Sequence, residues 1–171
     1  TPNALSQLGS ITVNASGINS NKYSVDFDLT ATPVGLADGI SYSFAPDANG
    51  PAASPNAEQG TGSKLRICFD SYGVMPNGAG IYILYNMALL TFSDISPGVI
   101  GYSPSTAWIN APNTHVAANI DSLGRITLIV GGVTIFNNLQ LPADFVNSDK
   151  SNWVHVVKAR TGGIAGAFGI D

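Results

Sequence analysis

115-HVAANIDSLGRITLIVGGVTIF-136 reads as three strands joined by two tight turns. Residues 115–121 and 125–130 flank Ser122-Leu123-Gly124, a short hairpin loop whose glycine supplies a positive φ. Gly131-Gly132 then returns the chain into Val133–Phe136. The same period of two recurs upstream. In Tyr23-Ser24-Val25-Asp26-Phe27-Asp28-Leu29 the apolar residues point one way and the polar ones the other. Ile40, Tyr42 and Phe44 alternate with Ser41 and Ser43, and Leu65, Ile67 and Phe69 alternate with Arg66 and Cys68. Ile81 to Tyr85 reads as a strand buried on both faces, and Trp153 to Ala159 as the last clear strand. No window keeps apolar residues at i, i+3, i+4 and i+7 for three turns without Gly or Pro, so helical signals are nearly missing. About nine to twelve short strands between turn residues predict an all-β chain, a two-sheet antiparallel sandwich forming a single domain over residues 1–171.

Composition agrees. The chain has 171 residues, of which 44% are hydrophobic and only 11% charged, with 19 Gly and 10 Pro. That is enough for one core, too apolar for disorder, and suited to many turns wetted by amides and hydroxyls. The net charge is −4, and the seven Lys and Arg are scattered, which excludes a phosphate-binding patch and hence nucleic acid. No apolar run approaches the ~20 residues of a membrane span. Low charge with abundant Asn, Ser and Thr points to an extracellular or cell-surface setting. The start at Thr1, without Met or signal peptide, is expected of a processed protein or an excised domain.

Two stretches, Pro46–Ser63 and Leu90–Thr114, resist assignment as strands. Loops this long are uncommon and often functional. The first is expected to run over the surface at one end of the sandwich. Catalytic residues are scarce. The chain has a single Glu, Glu58, in that first loop, whereas retaining glycosidases need two carboxylates about 5 Å apart. Asp26 and Asp28 share a strand face but read as solvated residues of an outer face. His115 and His155 are distant in sequence, G-x-S-x-G does not occur, and lone Cys68 reads as a small buried residue. The expectation is a protein that is not an enzyme.

Four segments then resemble one family in order and spacing. They are ADGISYSF at 37–44, the Gly-rich AEQGTGSKL at 57–65, ICFDSY at 67–72, and WVHVVKARTGG at 153–163. Together with the hairpins above, they resemble the L-type lectin superfamily, legume-like and concanavalin A-like, in a bacterial or extracellular LamG-like branch. The resemblance implies a concanavalin-like jelly roll with a sugar site built from loops at one end. Asp38 would accept hydrogen bonds from two sugar hydroxyls, Gly60 or Gly62 would donate a backbone N–H, and the loop at Gly162 and Gly163 would add backbone contacts. An ionised carboxylate takes hydroxyls at charge-assisted strength, and an aromatic ring covers the apolar face of a sugar. Tyr72, Tyr102 and Trp108 are the candidate platforms, with Asn77 a further ligand-binding candidate.

The same resemblance raises the question of metal. The legume pattern places Glu, then Asp two residues on, then an aromatic, then Asn. Here Cys68 stands at the Glu position and Val74 at the Asn position, while Asp70 and Tyr72 match. No acid occurs from Ser71 to Ser93, so the paired metal site is lost. One calcium ion on Asp70, the Tyr72 carbonyl and Asn77 is the remaining cofactor expectation, although calcium wants six to eight oxygens. Arg160 is expected to bridge to Asp38 or Asp70 rather than meet ligand, which would neutralise the site, make its acids structural and point to a scaffold. The function implied is that of a non-catalytic carbohydrate- or glycoconjugate-binding module, as in a surface adhesin. The alternative is an assembly subunit of a filament, surface layer or large adhesin. Such a subunit would self-associate as a homo-oligomer or filament through an open sheet edge.

Overall fold

The computed structural model describes residues 8–14, 17–33, 38–48, 57–86, 98–161 and 166–170. Eleven strands fall within them: β1 Leu8–Asn14, β2 Tyr23–Pro33, β3 Gly39–Ala45, β4 Leu65–Asp70, β5 Gly80–Leu84, β6 Val99–Ser103, β7 Thr114–Ile120, β8 Arg125–Val130, β9 Val133–Gln140, β10 Val154–Arg160 and β11 Gly166–Ile170. They form two antiparallel sheets, one ordered β1-β10-β3-β4-β5-β6 and the other β11-β2-β7-β8-β9. The two-sheet jelly-roll sandwich expected from the sequence is the architecture found. Among the described residues a 3-10 turn, Ala57–Gln59, and a short helix, α1 Ala143–Asn147, interrupt it. None of the helices among the described residues is long and apolar enough to cross a membrane.

Alternation builds the core. Ile40, Tyr42 and Phe44 of β3, Ile67 and Phe69 of β4, and Ile81 and Ile83 of β5 point inward from the larger sheet. Leu29, Val116, Ala118, Ile120, Ile126 and Leu128 meet them from the smaller one. Each large aliphatic or aromatic side chain buried here contributes about 1.5–3 kcal/mol of transfer free energy. The smaller sheet keeps its outer face wet. Asp26, Asp28 and His115 lie there half exposed, the imidazole Nδ1 2.8 Å from Asp28, in the solvated role expected for the two acids.

β5 is buried on both faces, as expected, but β3 and β4 differ from their alternating pattern: every residue of both is buried too. Ser41 and Ser43 therefore do not face solvent. What covers them is the described part of the Pro46–Ser63 stretch, which was expected on the surface. Thr61 donates its N–H to Ser43 Oγ (3.0 Å) and its hydroxyl to the Ala48 carbonyl (2.8 Å). Arg66 donates Nε to the Gly62 carbonyl (2.8 Å) and Nη1 to that of Gln59 (3.3 Å). A loop can be buried when its polar backbone groups find such partners. The second unassigned stretch contains β6 and the turn that carries Trp108.

Candidate functional site

Sheet register assembles the candidate site. Gly39 pairs with Arg160 of β10 on one side and Asp70 of β4 on the other, and Asp70 pairs with Gly80. Asp38, Arg160 and Asp70 thus meet at one end of three adjacent strands. Gly39 has φ +152°, and a Cβ there would lie 2.1 Å from the Phe69 carbonyl and 3.2 Å from Cβ of Glu58. The space without a side chain is what lets Glu58 lie over the sheet. The Asp38 carbonyl accepts the Ser71 N–H at 3.0 Å and the Ser71 hydroxyl at 3.3 Å, which ties the entry of β3 to the exit of β4.

Arg160 stands between two acids. Its Nε is 3.2 Å from Asp38 Oδ2, and its Nη1 is 3.6 Å from Glu58 Oε1. The expected bridge to Asp38 is present; its second partner is Glu58 rather than Asp70. Neither Asp38 Oδ2 nor either Glu58 oxygen receives a hydrogen bond, although all three are buried. Burial raises the Glu58 carboxyl to about 7; the nearby amide of its own backbone and then Arg160 pull it down, and Asp38 and Asp70 push it up. Glu58 is fully buried. Cys68 is buried and free, and burial pushes its thiol well above the usual range.

Asp70 closes the turn that follows β4. Its Oδ1 accepts the N–H groups of Tyr72 (3.0 Å) and Gly73 (2.8 Å), and its Oδ2 accepts that of Met75 (2.8 Å). Burial raises its carboxyl, with these three bonds pulling the other way. Asn77 is exposed; its N–H donates to Tyr82 Oη (3.1 Å) and its carbonyl accepts Tyr102 Oη (2.8 Å). Within the set Asp70, Tyr72 and Asn77, the one carboxylate is already engaged by the backbone. Both carboxylate oxygens already hold amides, and no group of three or more His, Cys, Asp or Glu gathers as a metal site among the described residues.

The remaining candidates separate. Tyr72 is 53% exposed and follows Ser71, whose N–H is held by the Asp38 carbonyl. Tyr102 is half buried. Trp108 corrects its expectation. It is completely buried, edge-on to Phe69 at 5.5 Å, with its indole N–H donated to the Ser105 carbonyl. The Pro-flanked stretch folds back onto the core because a buried indole contributes more area than an exposed one can. Gly60 and Gly62 are buried under the loop, and a Cβ on them would meet Ser43 and Arg66 or Ala45 and Ala48 at 2.7–3.0 Å. Their positive φ and missing side chains serve packing against the sheet. Gly162 and Gly163 lie outside the described residues. Glu58 is the residue that sequence reasoning missed as part of this cluster. The available signal was the chain's sole glutamate, set in a Gly-rich loop.

No protein-family model matches the chain, and no curated protein matches it. Solved structures do. The Emp47p carbohydrate recognition domain superposes with a TM-score of 0.76 at 16% identity, covering 98% of this chain and 77% of that one. The VIP36 exoplasmic/lumenal domain, in a form bound to Ca2+ and Man3GlcNAc, gives 0.72 at 18% identity, over 99% of this chain and 73% of that one. The metal-free Emp46p carbohydrate recognition domain gives 0.71 at 10% identity, over 98% and 76%. These matches do not single out a LamG-like branch. With its two sheets, their strand order and this likeness together, the chain has the L-type, legume-like lectin fold.

Proposed function

We propose that the chain is a non-catalytic carbohydrate-binding module of an extracellular or cell-surface protein, with Asp38 as the acceptor for sugar hydroxyls. One observation carries this reading. Asp38 is fixed at a strand end by its own backbone, its Oδ2 is buried without a hydrogen bond, and exposed Tyr72 follows directly on the Ser71 that the Asp38 carbonyl holds. A fixed carboxylate with acceptor capacity left over, next to an aromatic face, is the chemistry a polyol ring needs. The sugar-bound forms of VIP36 support a carbohydrate ligand for a fold of this kind. Gly162 and Gly163 remain proposed backbone donors. The lectin neighbours favour binding over catalysis.

A broad glycan array, run with and without calcium, tests the reading. Asp38→Asn is expected to lose at least tenfold in affinity for whatever the wild type binds, with Man3GlcNAc as the standing probe. A blank array in both conditions, or an Asp38→Asn variant that binds like wild type, overturns it.

A second reading, self-assembly through an open edge, is favoured by β1. This edge strand exposes Leu8, Ile11 and Val13. Ile11 and Val13 line a cleft of about 370 Å3 with Val25, Phe27, Val157 and Ile170, and an apolar edge of this kind invites a second copy of the chain. Native sizing and electron microscopy at high concentration that show only monomers would rule this out.

A further inference from the structure

Two buried acids flank Gly39, and the fold treats them differently. Asp70 uses both oxygens to hold a turn. Glu58 holds nothing of the kind: it is fully buried, and neither oxygen receives a hydrogen bond. A buried polar group left so costs about 1–3 kcal/mol, more if charged. Its closest charged partner is Arg160 at 3.6 Å, whose guanidinium also stands 3.2 Å from Asp38. Arg160 and carboxylates pair best through two parallel N–H bonds. Here that arrangement is completed with neither acid, since Asp38 Oδ2 also lacks a hydrogen bond.

We infer that Glu58 is a positioning residue for the ligand carboxylate: it draws Arg160 inward, prevents Asp38 from closing into a two-bond pair with that arginine, and so keeps Asp38 available to sugar hydroxyls. The inference rests on the carbohydrate-binding role of Asp38 proposed above. The charge balance around Glu58 fits it. Asp38 faces it from the start of β3; Asp70, Cys68 and Arg66 from β4; Arg160 and Lys158 from the same face of β10. Cys68 stays a neutral thiol, and Arg66 is occupied by the carbonyls of Gln59 and Gly62. Lys158 is buried, which lowers its ammonium. Arg160 is therefore the cation whose place Glu58 controls most directly. With its carboxyl near 7, Glu58 is charged at pH 8 and neutral at pH 5.5. Neutral Glu58 releases the guanidinium to Asp38, and the acceptor is then engaged.

The test uses the full chain, 15N-labelled, as wild type and as Glu58→Gln. The Arg160 Nε–H resonance is followed from pH 5.5 to 8.5, and binding to immobilised Man3GlcNAc and to the strongest array ligand is measured over the same range. The wild-type resonance is expected to titrate with a midpoint near 7 and to be flat in Glu58→Gln. That variant is expected to match wild-type binding at pH 5.5 and to bind five- to tenfold more weakly at pH 8. Arg160→Gln, measured alongside, is expected to bind with no pH dependence across this range, and it decides the matter if Glu58→Gln does not fold. A flat wild-type resonance overturns the inference. So does a Glu58→Gln variant that binds like wild type at pH 8, with the carbohydrate role left standing. If no glycan binds while the resonance titrates only when Glu58 is present, the carbohydrate role falls and Glu58's hold on Arg160 stands.

Discussion

Asp38 and Glu58 are twenty residues apart and end within reach of one guanidinium. Asp38 could be found from its neighbours, because an acid before a glycine before an alternating strand marks a strand entry with a carboxylate at its rim. Glu58 could not. Its place depends on Gly39 leaving room above the sheet, and on Gly60 and Gly62 letting the loop approach Ser43 and Ala45. Burial of Glu58 has a thermodynamic signature. A carboxyl raised from 4.5 to about 7 in the folded state favours folding when protonated. That contribution is fully present below the unfolded value and is lost as pH rises through the folded one. Its slope approaches about 1.4 kcal/mol per pH unit between these limits. Urea unfolding from pH 4.5 to 8 should therefore show wild type losing stability relative to Glu58→Gln, and levelling off above about 7. Parallel curves for the two proteins would contradict the burial of Glu58. His155, whose value is shifted by burial alone, cancels in the comparison.

At the scale of elements, strand identity was legible and strand environment was not. The alternation of β3 is real, but its polar face is covered, so Ser41 and Ser43 serve as buried hydrogen-bonding residues instead of wetted ones. The short helix α1 gave no readable signal: five residues are too few to show a period. What holds it is Lys150, whose ammonium donates to Asn21 Oδ1 (2.6 Å), to the Ser148 carbonyl (3.0 Å) and to the Phe145 carbonyl. The same ammonium lies 4.6 Å and 5.2 Å from the ring centroids of Phe145 and Trp153. Lys150→Met keeps the volume and deletes the donor. It should cost about 2–4 kcal/mol, because one buried and two half-buried acceptors lose their partner, as measured by denaturant midpoint at unchanged m-value. A loss under 0.5 kcal/mol would mean that water replaces the ammonium at no cost.

At the scale of the molecule, the turn after β4 has its carboxylate closed by backbone amides. A ligand that binds only the folded state raises the melting temperature by mass action. Neither millimolar calcium nor EDTA should therefore move the thermal midpoint of this chain by more than about 1 °C. A calcium-dependent rise of several degrees would show that the amides give way to an ion. The sequence by itself determined that this is an all-β chain with antiparallel hairpins, an uncharged surface and one acid at a strand entry. Those properties follow from residue period and turn chemistry, which act over a few neighbours. Only the tertiary structure decided that β10 lies between β1 and β3, that Trp108 is core, and that Arg160 sits between Asp38 and Glu58. Those outcomes depend on which faces come together across a hundred residues. There, burial of a loop, a missing Cβ and the desolvation of a carboxylate are settled together, and no local pattern records their sum.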